Sequence, residues 1–144
     1  MGKYDFVLDT SVVVQWYSPD KELHVEQAIA LLKKYETLGF EKIIIPDLLV
    51  LELTNALLAG KGLGFSLVEQ ILGDFYGLGL TIVAVDLQTV ALAIKIVKDY
   101  KVTIYDAVFL AIAQLFECRL VSDDVKSHGK IKNEKIQILN QWKD

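Results

Sequence analysis

Five short runs of apolar, branched and aromatic residues punctuate this chain, and none of them alternates regularly between apolar and polar positions: Tyr4 to Leu8, Lys42 to Ile45, Leu80 to Val85, Arg119 to Val121 and Ile136 to Leu139. A strand with one face in water alternates; a strand buried on both faces reads as a continuous run, and such strands belong to parallel sheets. Helical segments fill the intervals: Glu22 to Leu38 before Gly39, Leu48 to Ala59 before Gly60, Ser66 to Tyr76, Leu87 to Tyr100, and Ile104 to Phe116. A further capped helix starts at the Asp9-Thr10-Ser11 cluster. Strands alternating with helices predict an α/β fold, a three-layer α/β/α sandwich around a mostly parallel sheet of four to five strands.

A chain of 144 residues fits one domain of this kind, residues 1–144, with one core and one site. Apolar residues supply 53% of it, ample for that core, and the mean hydropathy of +0.37 leaves apolar surface to close an interface with a second chain. No apolar run reaches the roughly 18–20 residues of a membrane span, and no signal-peptide pattern opens the chain, so a soluble, cytoplasmic protein is expected. Cys118, the single cysteine, reads as a small buried hydrophobe.

In an open parallel sheet, ligands bind outside the carboxyl ends of the strands. Acids that follow strands therefore matter most. Asp9 follows the first run; Asp123 and Asp124 follow the fourth; all three face one crevice if those strands are neighbours. Asp47 and Asp86 also follow strands, but each directly precedes a helix, where an N-cap role satisfies it.

Glu52 sits inside Leu48-Leu49-Val50-Leu51-Glu52-Leu53, and a carboxylate among such neighbours needs a partner. Asn55, three residues on, shares its helix face. The alternative is a solvated stripe of Glu52, Thr54 and Asn55. Asp106 opens a helix whose only other clearly polar position is Gln114; Thr103 and Asp106 also match an acidic capping box, so capping competes with a site role. Clustered carboxylates cannot all stay ionised without a cation. Hard oxygen ligands suit Mg²⁺ or Mn²⁺, whose natural chemistry with phosphate is phosphodiester hydrolysis.

Other catalytic apparatus is missing. His24, on a charged helix face, and His128, in a polar loop, have no partner motif and are expected at the surface. The run from Gly60 to Gly64 lacks the Gly-Lys-Ser/Thr ending of a phosphate loop, and zinc-type Cys/His spacing is absent. The net charge of −4 runs against the basic footprint of a nucleic-acid binder. It is unevenly spread: residues 126–144 carry Lys126, Lys130, Lys132, Lys135 and Lys143 against Glu134 and Asp144, a local +3. A basic contact surface and a solvated tail both account for those lysines.

Four segments together resemble the PIN domain, in particular the VapC-like toxins of prokaryotic toxin–antitoxin pairs. They are Asp9-Thr10-Ser11-Val12-Val13-Val14-Gln15-Trp16; Pro46-Asp47-Leu48 leading to Glu52-Leu53-Thr54-Asn55-Ala56-Leu57; Tyr105-Asp106-Ala107 with Leu110-Ala111-Ile112-Ala113; and Leu120-Val121-Ser122-Asp123-Asp124. The resemblance covers nearly the whole chain. It implies that Asp9, Glu52, Asp106 and Asp124 are catalytic, metal-binding acids, with Ser11, Asn55, Ser122 and Asp123 orienting ligands or water around them. Gln15 departs from the pattern, since related sequences often carry a Lys before the Trp.

The resemblance implies a Mg²⁺- or Mn²⁺-dependent endoribonuclease that cuts RNA, forms a homodimer and is held inactive by a cognate antitoxin protein. Unpaired RNA is the expected substrate, because a recessed acidic site reaches stacked phosphates poorly. Two other readings stand beside it. A Mg²⁺-dependent phosphatase or phosphoacceptor domain would place further acids at the first strand end, where this chain has only Asp9. A PIN-like RNA- or protein-binding module would keep scaffold and ion without turnover.

Overall fold

The computed structural model describes residues 3–126, 128–131 and 136–139, with only the backbone of Lys130 included. Lys132, Lys135 and Lys143, and with them most of the basic segment, lie outside the described residues.

The first strand, β1 (Phe6–Leu8), is buried throughout and stops at Asp9. Asp9 ends it because its carboxylate accepts the N–H of Ser11, which caps α1 (Thr10–Tyr17). Helix α2 (Val25–Leu38) closes at Gly39, whose φ of +107° suits a residue without Cβ. A 3-10 turn, Phe40–Lys42, leads into β2 (Ile43–Pro46). Helix α3 (Leu48–Asn55) runs on through a π turn, Ala56–Gly60, and is followed by α4 (Phe65–Leu78).

Gly79, at φ +89°, turns the chain out of α4 toward β3 (Thr81–Val83). Helices α5 (Leu87–Tyr100) and α6 (Ile104–Leu115) come next, then β4 (Arg119–Ser122), a 3-10 turn at His128–Lys130, and β5 (Ile136–Ile138). Asp86 caps α5 through the N–H of Thr89, as expected. Asp47 does not cap α3: its own backbone is helical, and its Oδ1 accepts from Val85 N–H at 3.3 Å across the strand ends.

The sheet order is β3-β2-β1-β4-β5 and every pairing is parallel. The expected α/β/α architecture is borne out. Helices α1 to α4 pack among themselves, with α1 reaching β4 and α3 reaching β2, while α5 packs on α6, and α6 lies against β1, β2 and β4. Right-handed crossovers require this division, because the chain moves outward from β1 through β2 to β3 and then returns to the far side of β1. Ile43, Ile44, Ile45 and Leu120 are fully buried in the middle layer, each worth about 1.5–3 kcal/mol against exposure.

The reversal of strand order falls between β1 and β4. Leu8 stands opposite Val121, and the N–H of Asp9 bonds the Val121 carbonyl at 3.0 Å. Asp9 and the Ser122-Asp123-Asp124 segment therefore leave the sheet side by side. Among the described residues no helix is long and apolar enough to cross a membrane.

Candidate active site

Asp9 stands directly after β1 and is only 5% exposed. Its Oδ2 accepts from Ser11 N–H at 3.1 Å and from Ser11 Oγ at 2.5 Å. Ser122 Oγ lies 3.3 Å from the same oxygen and 2.8 Å from Nδ1 of His128, with a single hydroxyl proton to share between them. Burial pushes the Asp9 carboxyl above the usual carboxylate range; His128 and the Ser11 bonds pull it back, and the charge of Asp124 pushes it up again.

Glu52 enters from α3. Its Oε1 accepts from Thr10 Oγ1 at 2.8 Å, which brings α3 onto the first turn of α1. Partial burial raises its carboxyl most, the Thr10 bond lowers it, Asp9 and Asp106 raise it, and His128 lowers it. The inward reading of Glu52 thus prevails over the solvated stripe. Asn55 does not join it. Its side chain is exposed, and none of the acids receives a hydrogen bond from it among the described residues.

Asp106 combines the two readings open at the sequence level. Its N–H bonds Thr103 Oγ1 at 3.2 Å, which caps α6, and its Oδ2 accepts from the same hydroxyl at 2.9 Å. Its charge nevertheless reaches Glu52.

The two acids after β4 are separated by their environments. Asp123 is engaged on every side: Oδ1 lies 2.7 Å from His24 Nδ1, Oδ2 accepts from Gln15 Nε2 at 2.8 Å, and its N–H donates to Ser11 Oγ at 2.8 Å. Asp124 donates its N–H to Ser122 Oγ at 3.1 Å, and its charge acts on Asp9. Four carboxylates carried by four different elements, Asp9, Glu52, Asp106 and Asp124, are thus linked through their charges at one sheet end.

The histidines correct the sequence reading. His128 is fully buried, its Nε2 2.9 Å from the Asp106 carbonyl and its Nδ1 3.8 Å from Asp9 Oδ1. His24 is mostly buried against Asp123. Gln15, 1% exposed, is a structural tie whose Nε2 also reaches the Ser11 carbonyl, while its Oε1 has no partner among the described residues. No local motif marks either histidine: the Asp123 partner of His24 lies 99 residues away in sequence, and of the partners of His128 the Asp106 carbonyl lies 22 residues away while Ser122, six residues away, forms no recognisable pattern with it. Cys118 is buried, as expected.

A divalent cation can be tested against these groups. Among the described residues no three acidic, histidine or cysteine side chains converge closely enough to enclose an ion by themselves. A Mg²⁺ that keeps several waters needs only one or two direct carboxylates. All four donors are hard oxygens, and Asp9 and Glu52 are each pushed upward by a neighbouring carboxylate, a repulsion that a cation relieves. The donor set fits such an ion.

Several solved structures share this fold. A toxin–antitoxin complex from Klebsiella pneumoniae aligns with a TM-score of 0.68 at 18% identity, over 94% of this chain and 98% of that chain. VapBC2 from Rickettsia felis, bound to a DNA fragment from its promoter, aligns at 0.70 with 15% identity, over 96% and 98%. VapC20 from Mycobacterium tuberculosis, a sarcin-ricin loop cleaving toxin, aligns at 0.60 with 11% identity, over 77% and 82%. No curated protein sequence matches the chain. The family model of the PIN domain matches residues 6–128, from the first strand to the buried histidine, and the chain therefore belongs to the PIN domain family.

Proposed function

We propose that this protein is a metal-dependent endoribonuclease and the toxin of a toxin–antitoxin pair. The observation that carries the reading is the gathering of acids at the strand-order reversal: Asp9 and Asp124 leave neighbouring strands, Thr10 ties Glu52 to the turn that follows Asp9, and His128 joins the Asp106 carbonyl to Ser122. Asp9, Asp106, Asp124 and Glu52 would hold Mg²⁺ or Mn²⁺. When bound, the ion supplies an acidified water and relief of charge on the scissile phosphate.

The chain's own groups prepare that site. Ser11 holds the Asp9 carboxylate in one orientation through its N–H and its hydroxyl. Thr10 does the same for Glu52, and Thr103 for Asp106. Burial of Asp9 keeps bulk water from screening its charge, so its attraction for a cation is stronger than at a surface. RNA is favoured as substrate by the likeness to a sarcin-ricin loop cleaving toxin. An unpaired segment suits a recessed site.

The likeness to toxin–antitoxin complexes supports an antitoxin partner. An apolar groove of about 540 Å³, lined in part by Leu48, Leu51, Tyr76, Val90, Tyr105 and Val108, supplies apolar surface of the kind that protein contacts and the proposed homodimer need.

The test is cleavage of an RNA panel containing hairpin loops by the purified chain with Mg²⁺, Mn²⁺ or EDTA, beside Asp9→Asn and Asp106→Asn. Cutting that requires metal and disappears in both variants is expected. Cutting that persists in EDTA, or in both variants, overturns the reading.

A further inference from the structure

We propose that His128 is a positioning residue for the carboxylate cluster, a clasp that ties the first turn of α6 to the end of β4 and so sets Asp106 relative to Asp9 and Asp124. The inference rests on the metal-dependent reading above.

Both ring nitrogens of His128 are committed, and the side chain has no contact with solvent. A carbonyl oxygen only accepts, so the 2.9 Å contact between Nε2 and the Asp106 carbonyl fixes a proton on Nε2. Nδ1 meets Ser122 Oγ at 2.8 Å, and that oxygen in turn accepts the Asp124 N–H at 3.1 Å. Phe109, one turn along α6 from Asp106, meets the imidazole edge-on with centroids 6.2 Å apart and sets the ring plane. The main chain closes the loop, since Gly129 N–H bonds the Asp124 carbonyl at 3.1 Å.

The need for a clasp follows from the topology. Ser122 ends β4, and Asp9 and Asp124 lie just past β1 and β4, two strands that are hydrogen-bonded neighbours, so the sheet itself fixes them. Asp106 is carried on the outer layer by a helix start held locally by Thr103. The direct polar link described between that helix start and the strand ends is the imidazole. Partners that orient a ligand without touching the ion typically control affinity about 10–100-fold.

The test uses the full chain and Mn²⁺ as probe, with dissociation constants from electron paramagnetic resonance of free Mn²⁺ and circular dichroism to establish folding at the same temperature. His128→Phe keeps the ring volume and removes both bonds; His128→Gln keeps an N–H able to reach the Asp106 carbonyl; His128→Asn keeps a group for Ser122 alone.

Folded His128→Phe is expected to bind Mn²⁺ at least about tenfold more weakly, and His128→Gln to recover to within about threefold of the original chain. Wild-type affinity in folded His128→Phe overturns the proposal. Should that variant not fold, the other two decide: weaker binding by His128→Asn than by His128→Gln supports the clasp, and equal binding overturns it. Asp9→Asn separates the two failures. If the unaltered chain binds Mn²⁺ no better than Asp9→Asn, the metal reading falls and the clasp with it; if only the His128 variants are silent, the clasp alone falls.

Discussion

His24 Nδ1 and Asp123 Oδ1 stand 2.7 Å apart, joining the start of α2 to the residue that follows β4. With Gln15 Nε2 on the other oxygen, the Asp123 carboxylate ties α1 and the start of α2 to the end of β4, while the charge of Asp124 acts on Asp9; under the proposed function Asp124 is the fourth acid.

Asp123→Ala is therefore expected to cost stability more than metal. It leaves the buried Gln15 amide without its carboxylate, a loss of about 1–3 kcal/mol, while Mn²⁺ affinity changes by less than about tenfold. Asp124→Ala should show the reverse pattern in the same melting and titration experiments. Equal loss of Mn²⁺ binding in the two variants would show that the last carboxylate position is shared.

Asp9→Asn should abolish cutting yet stabilise the metal-free chain at neutral pH. The Asp9 carboxyl is raised in the folded state, chiefly by burial, so the native chain binds this proton more tightly than the unfolded chain does. Its contribution to stability is fully present below the unfolded-state value and is lost as pH rises through the raised folded-state value. The variant's advantage should thus be largest at neutral pH and shrink as the pH falls into the ordinary carboxylate range. On the scale of about 2–4 °C per kcal/mol, scanning calorimetry in EDTA resolves it. Adding Mn²⁺ should then raise the melting temperature of the original chain and leave that of Asp9→Asn unmoved.

Thr10→Val tests the hold on Glu52. The Thr10 hydroxyl favours the charged carboxylate, so its removal sends the Glu52 carboxyl further up. Where catalysis needs Glu52 ionised, the acid limb of the kcat/KM profile moves to higher pH, with the plateau changed by no more than about tenfold. An unmoved acid limb would remove Glu52 from the set that governs it.

Thr103→Ala removes the cap of α6 and the hydroxyl that orients Asp106. A stability loss of about 1 kcal/mol is expected, with weakened Mn²⁺ binding, and Thr103→Ser should restore both. Restoration of stability without affinity would separate the cap from the orientation of Asp106.

The four acids differed in how much the chain disclosed about them. Asp9 was legible because a buried strand ending in an acid and a helix start is a local pattern, and the fold places it as that pattern requires. Glu52 and Asp106 each had a local alternative. Thr10 settled the first from 42 residues away, whereas Thr103 made the second both a cap and an oriented acid. Asn55 shared a face with Glu52 and still points outward, since a helix face has width and α1 covers only part of it.

By itself the sequence determined the parallel sheet, the helices that cover it and the family, because continuous apolar runs and the caps that end them act over a few residues. Tertiary structure alone decided what becomes of Asp123, Gln15, His24 and His128. Asp123 meets Gln15 and His24 only when β4 inserts beside β1, and His128 meets the Asp106 carbonyl only when α6 folds against the strand ends; a side chain's role there depends on burial and on which hydrogen bonds remain available, neither of which is written in spacing along the chain.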